Sequence, residues 1–313
     1  MKKEVEDAVQ ELKAGAQELQ AGAQELQAGA QELKAGAQEL KAGAEELKAG
    51  AEELQAGAQE LQPGAQLYTV RDYTQTPSGV AEALRKVAEM GYRAVQVSAF
   101  GPIAPREVAR MASDNGLEIV ATHFGWDEFR DNTEHMVEVH LAWDCPHAAI
   151  GGLPAEYFQA GGAARFAGEL APVAERLAAA GIDFSYHNHS HELVRYGATT
   201  WLHQVYEAAP PEHLKAELDV YWLAAGGADP AQWIGDLGAR QPVIHFKDMV
   251  VLPDRTQRFA PVGAGNLNWP RIVAACRGAG VEWALVEQDQ TYGADPFAEL
   301  AASLRFLQGM GIS

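Results

Sequence analysis

Between Gln66 and Ser313 the chain alternates short runs rich in β-branched and aromatic residues with helical runs, and this alternation constrains the fold more than any other feature. The strand candidates are Gln66–Val70, Ala94–Ser98, Glu118–His123, Ala148–Gly151, Asp183–His189, Leu214–Val220, Val243–Lys247 and Trp283–Gln288. Helical stretches follow them at Val80–Met90, Pro105–Asn115, Asn132–Trp143, Ala163–Ala180, Thr200–Ala208, Pro230–Leu237, Trp269–Ala279 and Pro296–Met310. Several close on glycine, as in Met90-Gly91 and Ala180-Gly181, where a left-handed residue ends a helix. Strands separated by helices specify a parallel sheet with crossovers. Eight such units match a closed (β/α)8 barrel, which leaves no sheet edge to protect. An open doubly wound sheet is the competing arrangement, but no G-x-G-x-x-G follows the first strand.

The segment before the barrel is of another kind. Residues 11 to 65 repeat a seven-residue unit that places leucine at positions 12, 19, 26, 33, 40, 47, 54 and 61. Leucine and the alanine four residues on share a stripe, as in an amphipathic helix with a seam. Each unit also holds a glycine, which costs a helix about 1 kcal/mol relative to alanine. The expectation is a heptad-repeat helical extension over residues 1–65, marginal on its own, serving at most for weak self-association or docking. Pro63-Gly64 interrupts the repeat and marks the expected boundary with a barrel at 66–313.

A net charge of −19, from 43 acids against 24 bases, argues against attraction to phosphate backbones or anionic lipid. Neither nucleic acid nor a membrane is an expected partner, and acidity alone selects no substrate; a second copy of the chain is the one macromolecular partner the repeat before the barrel suggests. The two cysteines, Cys145 and Cys276, are far apart and suggest neither a disulfide framework nor a thiolate metal site. With no apolar leader at Met1-Lys2-Lys3 and no long apolar run, a reducing cytoplasm is the expected setting.

The chemistry lies at the strand ends. Residues i and i+2 of a strand point the same way, so paired polar residues at its carboxyl end can both face the barrel mouth. The chain offers His187 with His189, Glu217 with Asp219, His245 with Lys247, Glu287 with Asp289, Gln96 with Ser98, and His123 alone. So many buried polar groups must satisfy one another or a bound species. One divalent metal ion is the simplest common partner, and carboxylate oxygen with imidazole nitrogen suits Mn, Mg, Co or Zn. The expected ligands are His187, Asp219, His245 and Glu287; Glu217 lies deeper and orients a neighbour, and His191 and Glu192 fall just beyond a strand.

The runs Leu67-Tyr68-Thr69-Val70-Arg71-Asp72, Tyr186-His187-Asn188-His189, Glu217-Leu218-Asp219-Val220, His245-Phe246-Lys247-Asp248 and Val286-Glu287-Gln288-Asp289 resemble the sugar phosphate isomerase/epimerase family, the xylose isomerase-like TIM barrels. The resemblance runs from about Gln66 to the end. It implies a metal held after strands five to eight, with Asp219, His245 and Glu287 in the last three places. The chain departs from the family where His187 stands in place of a glutamate. A second departure is Gly263-Ala264-Gly265, where relatives commonly have a glutamate between the glycines.

Isomerisation beside a carbonyl needs a base for a carbon-bound proton and a cation for the developing oxyanion. Glu287 is the expected base, His187 or His189 the group returning a proton, and Lys247 the oxyanion partner. His123, His189, Glu192 and Trp222 are the expected substrate contacts. The leading reading is a metal-dependent sugar or keto-sugar isomerase or epimerase, its partner a small-molecule carbohydrate. A lyase that dehydrates a keto-inositol or cleaves a keto-glycoside is the enzymatic alternative. A catalytically silent barrel with an assembly helix is the non-enzymatic one.

Overall fold

The structure, a computed structural model, describes residues 60–313 together with Lys13, Gly15, Lys34, Gly36 and Lys41, which are helical. The heptad leucines from Leu12 to Leu54, and with them the expected amphipathic extension, lie outside the described residues. Leu61, the last leucine of the register, is buried and belongs to the barrel core.

Eight parallel strands close into a barrel: β1 (Gln62–Gln66), β2 (Ala94–Ser98), β3 (Glu118–Phe124), β4 (His147–Ile150), β5 (Asp183–His187), β6 (Lys215–Asp219), β7 (Val243–Phe246) and β8 (Trp283–Val286). Neighbours follow chain order and β1 pairs with both β2 and β8, completing the ring. Helices stand between successive strands, and the apolar side chains that face outward from the strands pack against them in one continuous core. A smaller apolar layer of Ala94, Val120, Ala121, Val243, Trp283 and Leu285 fills the barrel interior. That layer is the floor on which the polar residues stand.

Seven of the expected strands sit within a few residues of their observed positions; the first does not. Gln66–Val70 was expected to be extended, but β1 ends at Gln66 and Leu67–Tyr73 is a 3-10 turn. Pro63-Gly64, expected to break the chain, lies within β1. Gly64 is required there because a Cβ would press into Leu285 on β8 and approach the Ala94 carbonyl on β2. The correction carries a polar residue with it, since Gln66 now occupies a strand end and is fully buried. Helices at Trp126–Asp131 and Val220–Ala225 and the hairpin Asp248–Val251/Gln257–Ala260 were not anticipated.

The hairpin begins where β7 ends, and Asp248 anchors it. Its buried carboxylate accepts hydrogen bonds from the backbone N–H of Gly263 (2.9 Å), Gly265 (3.0 Å), Leu267 (3.3 Å) and Met249 (2.7 Å) and from the Trp269 indole (2.7 Å). Gly263 has φ +88 with Phe306 where its Cβ would be, and a Cβ on Gly265 would meet the Asp248 carboxylate itself. The glycines therefore let the loop wrap an internal anion. Leaving those donors unpaired is costly, so Asp248→Ala should lower unfolding free energy by about 3 kcal/mol in urea titrations. A change under about 0.5 kcal/mol would show the loop is held by other means.

Candidate active site

Alternation along the strands stacks polar side chains above the apolar floor. On β6 Glu217 lies two residues deeper than Asp219; on β7 Val243 is followed by His245 and then Lys247; from β8 Leu285 is followed by Glu287 and Asp289. β5 delivers His187 and, just past its end, His189. Gln66, Gln96 and His123 come from β1, β2 and β3. Glu217, Asp219 and His245 are fully buried, and His187, Lys247 and Glu287 almost so.

Two networks share these groups. In the deeper one, Glu217 Oε1 accepts from Gln96 Nε2 (2.8 Å) and pairs with His123 Nε2 (2.8 Å) and with His245 Nε2, while Gln66 Nε2 donates to Gln96 Oε1 (2.8 Å). In the upper one, Lys247 Nζ lies 2.9 Å from Asp219 Oδ2, 2.8 Å from Glu287 Oε2 and 2.8 Å from Asp289 Oδ1. His245 joins the two, because its Nδ1 is 2.9 Å from Glu287 Oε2. Asp219 is also held from behind: its Oδ1 caps the helix Val220–Ala225 by accepting from Trp222 N (3.0 Å), which aims Oδ2 at the site.

The protonation states follow from these contacts. Burial opposes charge on His245, but Glu217 and Glu287 outweigh it and lift its pKa to about 10. Burial raises Glu217 and Glu287, yet both end well below the usual carboxylate range, the first because of His123 and His245, the second because of Lys247 and His245. Lys247 resists burial through Asp219, Glu287 and Asp289 and stays charged. Burial, then the neighbouring His245 and His123, holds His187 neutral; burial and Lys247 push His189 down to about 3. Burial raises Asp219, and burial, then the neighbouring Glu287, raises Asp289 to about 6.

These residues fit a cation. Four carboxylates, Glu217, Asp219, Glu287 and Asp289, face two internal cations, His245 and Lys247, an excess of two negative charges in a buried space when all are ionised. One donor atom from each of His187, Asp219, His245 and Glu287 lies within 4.8 Å of the others. His187 Nε2 and Asp219 Oδ2 face each other at 3.9 Å, too far for a hydrogen bond, and His187 Nδ1 is buried without a partner. His123, His187, Glu217 and His245 form a second set of the same span, in which Glu217 Oε1 is engaged by three neighbours and Oε2 is buried without a hydrogen-bond partner.

The other expected residues are placed unequally. His123, His189 and Lys247 line a cavity of about 910 Å³ at the carboxyl ends of the strands, together with His187, Glu287 and Asp289. Trp222 stands at the same end, its ring 5.2 Å from that of His189 and 5.7 Å from Lys247 Nζ. Glu192, expected at the substrate, is instead fully buried beneath the loop, accepting from Tyr186 Oη (2.9 Å) and His189 N (2.8 Å). It positions His189. Gln66 and the anchor Asp248 escaped the sequence reading; a strand ending at Gln66 would have revealed the first, and the glycine pair at 263 and 265 was the only trace of the second.

A family profile described as xylose isomerase-like TIM barrel matches residues 84–310. A solved sugar phosphate isomerase/epimerase from Parabacteroides distasonis superposes with a TM-score of 0.67 at 22% identity, over 80% of this chain and 95% of its own. An L-ribulose 3-epimerase gives 0.64 at 17% identity, over 80% and 94%. A D-allulose 3-epimerase from Methylomonas sp. gives 0.60 at 14% identity, over 80% and 98%. At such identities the likeness concerns the fold. No protein with a curated description matches the sequence significantly.

The charge on His245 has a measurable signature. Its folded pKa of about 10 lies above the ordinary 6.5, so its stabilising effect is complete below pH 6.5 and is lost as pH rises through 10. In chelator-treated protein, imidazole ¹⁵N shifts at pH 8 should show His245 doubly protonated and His187 and His189 neutral. A neutral His245 at pH 8 would contradict the network.

Proposed function

Since the chain belongs to the xylose isomerase-like TIM barrel family, we propose that it is a divalent-metal-dependent isomerase or epimerase of a sugar or keto-sugar. The observation that carries this reading is the buried set His187, Asp219, His245 and Glu287 at the base of a cavity beside Lys247. Asp219 Oδ2, a Glu287 oxygen and one ring nitrogen each of His187 and His245 would hold the ion, a donor set suited to Mn, Mg, Co or Zn. When bound, the cation supplies Lewis-acid polarisation of the substrate carbonyl and an adjacent hydroxyl. His187, kept neutral by burial, is in the state a ligand requires; His245 must give up a proton to ligate, so metal uptake releases one.

The remaining residues divide the proton work. Glu287 is the base: Oε2, beside Lys247, would be the oxygen that holds the ion, which leaves Oε1 to take the carbon-bound proton. Lys247 Nζ, fixed among three carboxylates, steadies negative charge developing on substrate oxygen. His189 faces the cavity as a neutral imidazole, so from the β5 side it would take the proton of a substrate hydroxyl and pass it to carbon, Glu287 restoring the hydroxyl with the proton it removed. His123 and Trp222 contact sugar hydroxyl and sugar face. The chemistry is assigned within residues 66–313, and the heptad-repeat segment before it, which carries no catalytic group, is read as an extension serving at most for weak self-association or docking. Both cysteines are buried thiols, in keeping with a reducing cytoplasm.

One observation favours a second reading, a lyase. The β5 side of the site carries imidazoles where a second carboxylate base would be needed for proton transfer on both faces. A single base at Glu287 with a proton donor opposite suffices to expel a β-substituent from a keto-sugar.

Incubation with ketoses and 3-keto-sugars in D₂O should give deuterium at the carbon beside the carbonyl. Chelation should abolish it and Mn²⁺ restore it, and Glu287→Gln should lower the rate at least about a hundredfold. Exchange indifferent to chelator or to Glu287→Gln would overturn the proposal, and an unsaturated ketone as product would select the lyase.

A further inference from the structure

The cavity is larger than a sugar needs and is built in two halves. Its charged half comes from the ends of β5, β7 and β8; the other half comes from the segments after β2, β3 and β4, which are contiguous in the ring and stand across the mouth from the first. Phe100, Ile103, Phe124 and Leu153, each partly buried, form the apolar wall of this second half, backed by Trp126 and Trp143, while Ser98, His123 and His135 line it beside them. Both indole N–H groups are turned inward and used, Trp143 Nε1 donating to Pro105 O (2.7 Å) and Trp126 Nε1 to Tyr157 Oη (3.2 Å). The indoles thus offer the cavity no polar atom. At the rim, Asp127 is paired with Arg130 (2.8 Å) and Glu128 accepts from Gly125 N (2.9 Å), so these carboxylates are already engaged.

A volume of about 910 Å³ lies near the top of the roughly 300–1,000 Å³ span of pockets that enclose drug-sized ligands, and one hexose, with about a dozen heavy atoms, leaves much of it empty. Hydroxyls pressed against the apolar wall would lose water and gain no partner. A flat carbon group would gain both burial and ring contacts with Phe100 and Phe124. We infer that the substrate is a glycoside-like molecule, with its keto-sugar unit at the charged half and an apolar aromatic aglycone in the arm lined by Phe100, Ile103, Phe124 and Leu153. The sugar end of this inference rests on the function proposed above; the aglycone end rests on the wall alone.

Calorimetric titration of the full chain with methyl and phenyl β-D-glucoside, neither of which carries the reactive ketone, tests the arm apart from turnover. The phenyl glucoside should bind at least about tenfold more tightly, a difference that Phe100→Ala and Ile103→Ala each reduce severalfold while leaving the methyl glucoside unchanged. Equal affinities, no binding of the phenyl glucoside, or a preference that survives both substitutions would overturn the inference. Aryl preference without deuterium uptake by any keto-sugar would sink the isomerase reading and leave the arm standing; uptake without aryl preference would do the reverse.

Discussion

Gathering four carboxylates, three of them buried and Asp289 partly so, at the mouth of one barrel is the constraint from which the rest of the structure follows. Glu217, Asp219, Glu287 and Asp289 cannot all be ionised out of water unless positive charge is supplied, and His245 and Lys247 supply only part of it. The strands provide the means: alternation brings every second side chain inward, and closure of the sheet brings β5, β6, β7 and β8 to one point. The apolar floor excludes water from beneath, which strengthens each of these pairings and raises the cost of leaving any of them unmade.

His245 is the member on which both networks turn. One nitrogen faces Glu217 and the other Glu287, so its two N–H groups tie the deeper cluster to the upper one. On the proposed reading, a metal ion in place of that proton would supply the positive charge the cluster lacks, and Glu287, which faces an imidazolium here, would serve as the base. Lys247 is kept charged by its three carboxylate partners, Asp219, Glu287 and Asp289. The site is stable without substrate for the same reason it is reactive with it.

The period-2 pattern made most of this legible in sequence. The pairs His245 with Lys247 and Glu287 with Asp289, at the ends of the expected strands, suit inward-facing strand ends, and the structure brings His187, Asp219, His245 and Glu287 together. The first strand was illegible because Pro63 and Gly64 carry the local signature of a turn. Only the close approach of Leu285 and the Ala94 carbonyl, set by tertiary pairing, makes glycine the right residue inside a strand there. Glu192 misled for the converse reason: its place just past β5 suggested a rim contact, while its partners, the Tyr186 hydroxyl and the His189 amide, become visible only when the loop folds back. The aromatic arm of the cavity left no motif, because it is assembled from three separate loops.

The central claim is that Asp219, Glu287, His187 and His245 share one ion. Electron paramagnetic resonance titration of metal-free protein with Mn²⁺ addresses it directly. The account predicts saturation at about one tightly bound ion per chain, lost in Asp219→Asn, whose side chain keeps its size and helix cap but gives up its charge. A folded wild-type protein that retains no Mn²⁺, Co²⁺ or Zn²⁺, or an Asp219→Asn variant that binds as tightly, would contradict it.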